Sequence, residues 1–94
     1  MNQKSIIESL LFTSGHPLSQ KKMAEILGIL ESDVEKSLKE LAVDYEQNSR
    51  GLRLVFFDNK VQLVIAPESK EAMEKLVKSE FEEELSQAAL ETLA

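Results

Sequence analysis

The sequence contains no cysteine, no tryptophan and only one histidine among its 94 residues. Without cysteine the chain cannot form a disulfide, an iron–sulfur cluster or a cysteine zinc site, and thiolate catalysis is excluded. A single histidine excludes a multi-histidine metal site. The three glycines are isolated from one another, so the sequence has no glycine-rich phosphate loop.

Long apolar runs are missing as well. The longest cover four residues each, 54–57 and 63–66, whereas a transmembrane helix needs about 20. The first apolar residues, Ile6 and Ile7, are followed at once by Glu8, which is not typical of a signal peptide. We therefore expect a cytoplasmic protein without membrane contact.

The residues that are present predict one small acidic domain. Hydrophobic residues make up 43% of the chain and charged residues 30%, with a formal net charge of −6. This length and composition are typical of a single folded domain with one core, and regularly spaced apolar residues oppose disorder. The negative charge opposes general nucleic-acid binding, because phosphates would be repelled.

Three segments before residue 50 have helical periodicity. The first places Ile6, Ile7, Leu10 and Leu11 on one face, and residues 15–17 (Gly-His-Pro) end it. Ser19 is the predicted N-cap of a second helix, and Ser32 that of a third, where Glu35 completes a capping box. The third helix has the strongest apolar stripe, formed by Val34, Leu38, Leu41 and Tyr45.

The periodicity changes between residues 52 and 66 to that of two strands. A two-residue turn at Asp58 and Asn59 sets a register in which Phe56 faces Val61. One face of the hairpin is then wholly apolar and is expected to lie against the helices: Leu52, Leu54, Phe56, Val61, Leu63 and Ile65. The other face keeps three apolar residues, which are Val55, Phe57 and Val64.

A fourth helix is predicted from Ser69, with Met73, Leu76, Val77 and Phe81 on its apolar face. The acidic residues 80–84 indicate a solvated link, and Ser86 is the predicted cap of a new helix. We predict a domain over residues 1–82, followed over 83–94 by a linker and the truncated first helix of another domain. The alternative is a helical tail that docks on the first domain.

This order of elements predicts an α+β fold of the winged helix-turn-helix class, with three helices, a β-hairpin wing and a fourth helix. A DNA-binding member of this class inserts its third helix into the major groove. Here residues 31–46 hold six acidic and two basic side chains, a net charge of −4. The fold favours a DNA-binding transcriptional regulator, but the charge opposes it and favours a protein partner.

No pattern in the sequence indicates catalysis, a metal site or a cofactor. His16 lies in a predicted loop between Gly15 and Pro17, without a partner nucleophile. Residues 82–84 are consecutive glutamates, which lack the spaced oxygen ligands and turn glycine of a calcium loop. We expect no enzyme, no catalytic residue and no bound cofactor.

Apolar surface is the remaining candidate for function. Either the first or fourth helix covers Val55, Phe57 and Val64 on the outer hairpin face, or another chain does. Ile7 and Leu11 of the first helix are candidates to share in that contact. If these five residues form a dimer interface, Phe57→Asp is expected to produce a monomer. The sequence leaves the first helix, the wing and the fourth helix all possible as the dimer surface.

Four segments resemble, in the expected order, motifs of the segregation and condensation protein B family. They are residues 4–19 (KSIIESLLFTSGHPLS), 50–55 (RGLRLV), 62–64 (QLV) and 85–94 (LSQAALETLA). His16 stands where the family usually has glutamate, and Val61 where it usually has tyrosine.

The resemblance implies a non-enzymatic protein with two winged-helix domains, of which the N-terminal one is associated with homodimerisation and the C-terminal one with much of the kleisin contact. It also implies two partners in bacterial chromosome condensation and segregation. These are the kleisin subunit, segregation and condensation protein A, and the SMC ATPase. Under this resemblance residues 83–94 contain the start of the second winged-helix domain, and the protein acts in the cytoplasm at the nucleoid without reading a DNA sequence itself.

Overall fold

A computed structural model describes the backbone of residues 2–93 and the side chains of residues 2–85. Four helices and a three-stranded antiparallel sheet form the winged helix-turn-helix fold that the sequence predicted. In chain order the elements are α1 (Gln3–Ser14), β1 (Leu18–Ser19), α2 (Gln20–Leu27), α3 (Glu31–Gln47), β2 (Leu52–Phe57), β3 (Lys60–Ile65), a 3-10 turn (Pro67–Ser69) and α4 (Lys70–Leu93).

Most of the predicted helix ends are confirmed. Gly15 and Gly28 end α1 and α2 in the left-handed conformation, each with a φ of 67°, which glycine adopts without steric cost. The Ser19 hydroxyl accepts the Lys22 N–H at 3.0 Å and caps α2. The predicted cap at Ser32 is wrong. Helix α3 begins at Glu31, because the Leu30 carbonyl accepts the N–H groups of Asp33 and Val34.

The predicted hairpin register is confirmed: Phe56 pairs with Val61 and Leu52 with Ile65. Asp58 in the turn has a φ of 52°, a conformation that aspartate tolerates better than most residues. Strand β1, which was not predicted, pairs with β3 through Leu18 and Val61 and makes β3 the central strand. Two residues are too few to give a strand a periodicity of its own.

The core lies between α1, α2, α3 and the inner face of the sheet. Its fully buried side chains are Ile7, Met23, Val34, Leu38 and Val61. The stripe predicted on α3 is buried along its whole length, from Val34 to Tyr45. Leu52, Leu54 and Leu63 of the inner hairpin face pack against this core. Phe56 and Ile65, predicted to do the same, are more than 40% exposed, because they lie at the two ends of the hairpin.

Two of the candidate interface residues are also part of this core. Ile7 is fully buried and Leu11 is 3% exposed, and both belong to the cluster that joins α1 to α3 and the sheet. The prediction that they contact another chain is therefore wrong for the folded domain. Their spacing identified the apolar face of α1, but that face is covered by the domain's own elements.

Helix α4 differs from the sequence prediction in being continuous. It runs from Lys70 to Leu93 through the acidic residues 80–84, so no link interrupts it, and Ser86 lies inside the helix instead of capping a new one. The reason is composition: glutamate, lysine, leucine and alanine are strong helix formers, and neither glycine nor proline follows Pro67. The division after residue 82 stays a prediction. Within residues 2–93, none of the helices combines the length and apolar composition that crossing a membrane requires.

Candidate protein interface

The hairpin carries partly exposed apolar side chains on both of its faces, and two of them, Phe56 and Phe57, lie next to the turn. Phe56 and Phe57 are each 46% exposed, and Val55 and Val64 are half-buried. We call these four residues the hairpin surface. Neither α1 nor α4 buries the two phenylalanines. Three of the five predicted interface residues, Val55, Phe57 and Val64, belong to this hairpin surface.

Strand β2 is also an edge of the sheet, since the strand order is β1-β3-β2. In an antiparallel pair joined by a two-residue turn, alternate residues direct their backbone groups away from the partner strand. By the observed register these are Leu52, Leu54 and Phe56. Within residues 2–85 no hydrogen bond is made to the outward backbone groups of Leu54 or Phe56. This edge can therefore accept an added strand.

Arg53 has a structural role at the base of the wing. Its Nη1 donates to the carbonyls of Arg50 at 2.7 Å and Leu52 at 2.8 Å, and its Nη2 lies 3.3 Å from Glu68. The side chain is only 19% exposed. Of the two wing cations in the sequence, Arg53 is thus held against the protein, and Lys60 remains exposed.

The exposed side of α3 is acidic. Glu31, Asp33, Glu40 and Glu46 are exposed, and Lys39 is paired with Glu35 at 3.2 Å. A helix that enters a DNA groove presents donors and cations to phosphates and base edges. This surface instead presents carboxylates, which repel phosphate.

Two polar pairs join α1 to α3 beside this surface. The Tyr45 hydroxyl donates to Glu8, and the Lys4 ammonium donates to Asp44. Burial, followed by the hydrogen bond to Glu8, raises the pKa of Tyr45. The hydrogen bond to Asp44 raises the pKa of Lys4. These groups partner one another across the helix pair, and we assign them to the stability of the domain.

The single histidine, His16, belongs to no metal-binding group among the residues that the structure describes. His16 is exposed in the loop after α1, where its Nδ1 lies 3.0 Å from the Pro17 carbonyl oxygen. In the part of the chain that the structure describes, no group of three or more acidic or histidine side chains is close enough to hold a metal ion.

A second apolar surface lies on α4. Its members are at least one-third exposed, and we call them the α4 row: Met73, Leu76, Val77, Phe81 and Leu85. The sequence places four of them, Met73, Leu76, Val77 and Phe81, on one apolar face of the predicted fourth helix. Because α4 leaves the body after the 3-10 turn, its chief contact is with that turn, and the row stays open.

Comparison with known proteins gives one consistent result. The family model described as "Segregation and condensation complex subunit ScpB" matches residues 5–94. A segregation and condensation protein B of Clostridium botulinum (strain Kyoto / Type A2) is 45% identical over 91 residues, which are 97% of this chain and 47% of that protein. The relative from Clostridium tetani (strain Massachusetts / E88) is 43% identical over 90 residues, 96% of this chain and 48% of that protein. The chain thus spans about half the length of the curated relatives it matches.

Solved structures agree with the fold. A crystal structure of a dimer of the ScpB N-terminal domain complexed with an ScpA peptide matches with a TM-score of 0.72 and 31% identity, over 78% of this chain and 91% of that one. ScpB from Mycobacterium tuberculosis matches with a TM-score of 0.77 over 81% of this chain and 48% of that one. At 18% identity the second comparison supports the fold alone.

Proposed function

Because this chain belongs to the ScpB family of segregation and condensation complex subunits, we propose that it is a non-enzymatic, homodimeric subunit of a bacterial SMC–kleisin complex. In this proposal it binds a segment of the ScpA-type kleisin and acts at the chromosome in the cytoplasm, without reading a DNA sequence. One observation carries the proposal: the domain of similar fold at 31% identity is a dimer complexed with an ScpA peptide.

The charges of the described surface support a protein partner over DNA. The third helix carries exposed carboxylates where a groove-reading helix carries cations. Arg53 of the wing donates to backbone carbonyls and to Glu68, which leaves it few donors for a phosphate.

The hairpin surface is the contact that we propose for the kleisin. An extended segment that adds to the open edge of β2 would bond the outward backbone groups of Leu54 and Phe56. Its alternate side chains would cover Phe57 on one face and Phe56 on the other. Burial of exposed phenylalanine contributes affinity, and the backbone bonds set the register.

The experiment measures dimerisation and kleisin binding on the same samples. Light scattering of the chain at micromolar concentration is expected to give a dimer of twice 10.6 kDa. A labelled ScpA-derived peptide is expected to bind in fluorescence anisotropy. Phe57→Asp is expected to abolish peptide binding, because a buried unpaired carboxylate opposes association. The dimer mass is expected to stay unchanged, in contrast to the monomer expected from the sequence alone, because the exposed apolar row on α4 offers a separate surface for the second copy.

Val43→Asp is the matched control, since Val43 on α3 is 47% exposed, almost the same as Phe57, and the cavity that it lines includes no hairpin residue. It is expected to bind the peptide like the wild type. A wild-type chain that is monomeric and ignores the peptide would refute the proposed function. A monomeric Phe57→Asp variant that still binds the peptide would instead assign the hairpin surface to the dimer.

A further inference from the structure

We propose that the α4 row pairs with the α4 row of a second copy of this chain, with the two helices antiparallel. This inference rests on the proposed homodimer and names the surface that forms it. The row is apolar, and on the described part of α4 its exposed fractions run from 37% for Met73 to 65% for Val77. An exposed apolar surface of this kind on a small acidic domain is typical of a site that a partner buries.

The four-residue spacing of the row fits helix-to-helix packing. Met73, Val77, Phe81 and Leu85 follow one another at i, i+4, which forms a ridge inclined to the helix axis. Two such ridges interdigitate in the commonest class of helix pair. Residues 70–85 are about 24 Å long at 1.5 Å per residue, enough for the row of one helix to follow that of the other.

The distribution of charge along α4 favours a second copy as the partner and an antiparallel orientation of the two helices. Residues 70–79 hold three lysines and two glutamates, a net charge of +1, and residues 80–85 hold four glutamates and no base, a net charge of −4. An antiparallel pair places each positive half against a negative half, whereas a parallel pair places the two −4 halves together. The helix is therefore self-complementary about a two-fold axis.

The charged residues that border the row are available for this contact. Residues three or four apart are neighbours on a helix surface, so Lys70 lies beside Met73 and Lys78 beside Phe81. In the negative part, residues 80–85, Glu80 lies beside Val77 and Glu84 lies beside Phe81. The one ion pair found on α4 within residues 70–85 joins Lys75 to Glu71 at 3.4 Å, and it involves none of the four.

The test is a charge exchange on the full 94-residue chain, read by light scattering at low salt, where charge repulsion is least screened. The variant Lys70→Glu/Lys78→Glu makes the first half −3, so both halves are negative. The variant Glu80→Lys/Glu83→Lys/Glu84→Lys makes the second half +2, so both halves are positive. Each is expected to raise the dimer dissociation constant about tenfold or more.

The variant that combines all five substitutions is expected to return to a dimer, because −3 again faces +2 in the antiparallel arrangement only. Lysine and glutamate have similar helix propensities, and far-ultraviolet circular dichroism checks that every variant keeps its helix content. Lys21→Glu/Lys22→Glu on α2, where both lysines are exposed, is the control with two charge reversals and is expected to remain a dimer.

The outcomes separate the two proposals. A monomeric wild-type chain overturns the proposed homodimer and this inference with it. If the two charge variants keep the wild-type dissociation constant on dilution, the homodimer stands and α4 is not its interface. If the two charge variants are monomeric and the variant that combines all five substitutions is monomeric as well, the antiparallel pairing is overturned. ScpA peptide binding that is lost only in the α4 variants would assign the row to the kleisin and refute the second copy as its occupant.

Discussion

The sequence predicts that both Ile7 and Phe57 contact a partner, but we expect their alanine variants to behave differently. Ile7→Ala should lower the stability of the domain, and Phe57→Ala should lower its affinity for the partner. Ile7 is fully buried among the residues that join α1 to α3 and the sheet. Removing most of its side chain costs about 3–4 kcal/mol, from the lost burial and the cavity left behind. A domain of this size has about 5–10 kcal/mol of stability, so the melting temperature should fall by about 15–25 °C.

Phe57→Ala is expected to behave in the opposite way. Its side chain is 46% exposed, so the lost burial costs about 1 kcal/mol, roughly half of what full burial of such a side chain contributes. Its binding to the ScpA-derived peptide, however, should be lost. Ile7→Ala should bind the peptide normally in the cold, where it remains folded, because its effect is on the core alone.

Urea denaturation followed by circular dichroism gives the two stabilities, and anisotropy in the cold gives the two affinities. The reasoning is refuted if the two variants lose similar stability. It is refuted equally if Ile7→Ala melts within a few degrees of the wild type but no longer binds the peptide, since Ile7 would then face a partner.

A glycine cap, a buried tyrosine and the acidic face of α3 can each be tested separately. Gly28→Ala should lower the free energy of unfolding by about 1 kcal/mol in urea denaturation, because alanine is strained at a φ of 67°. Gly51→Ala should be near neutral, because Gly51 has no positive φ and an added Cβ would meet nothing closer than 3.9 Å. Equal losses would contradict the role of the cap. The pKa of Tyr45 is raised from its usual 10.0, so the stability it contributes is complete below that pH and is lost as the pH rises above it; Tyr45→Phe should make alkaline unfolding less steep, and an unchanged pH profile would contradict this. Duplex DNA should bind more weakly than about 10⁻⁴ M at physiological salt in anisotropy; tight binding with a steep salt dependence would refute the argument from the acidic α3.

Much of the local structure could be predicted from the sequence, because it depends on neighbours in the chain. Ser19 caps α2 and Gly28 ends it, since a side-chain oxygen and a missing Cβ act within one turn. The turn at Asp58 set the hairpin register, and a register slip would have exchanged the two faces. The acidity of α3, and with it the preference for a protein partner, is a property of composition.

The interface could be predicted only in part. The sequence placed Phe57 on the outer face of the hairpin, and the structure leaves it exposed. The sequence also placed Ile7 of α1 and Val77 of α4 on apolar helix faces of the same kind. Spacing cannot distinguish these two faces, because it shows which residues share a face and not what covers that face.

The sequence by itself therefore determined most of the elements, their order, the hairpin register and the charge of each surface, since these follow from local sterics, periodicity and composition. The tertiary structure decided which apolar faces are buried inside the domain. Packing of α1 on α3 and the sheet buries Ile7, whereas α4 continues past the body and leaves Val77 65% exposed. Burial depends on residues far apart in the chain, and for that physical reason only the fold could separate the core from the surfaces that are left for partners.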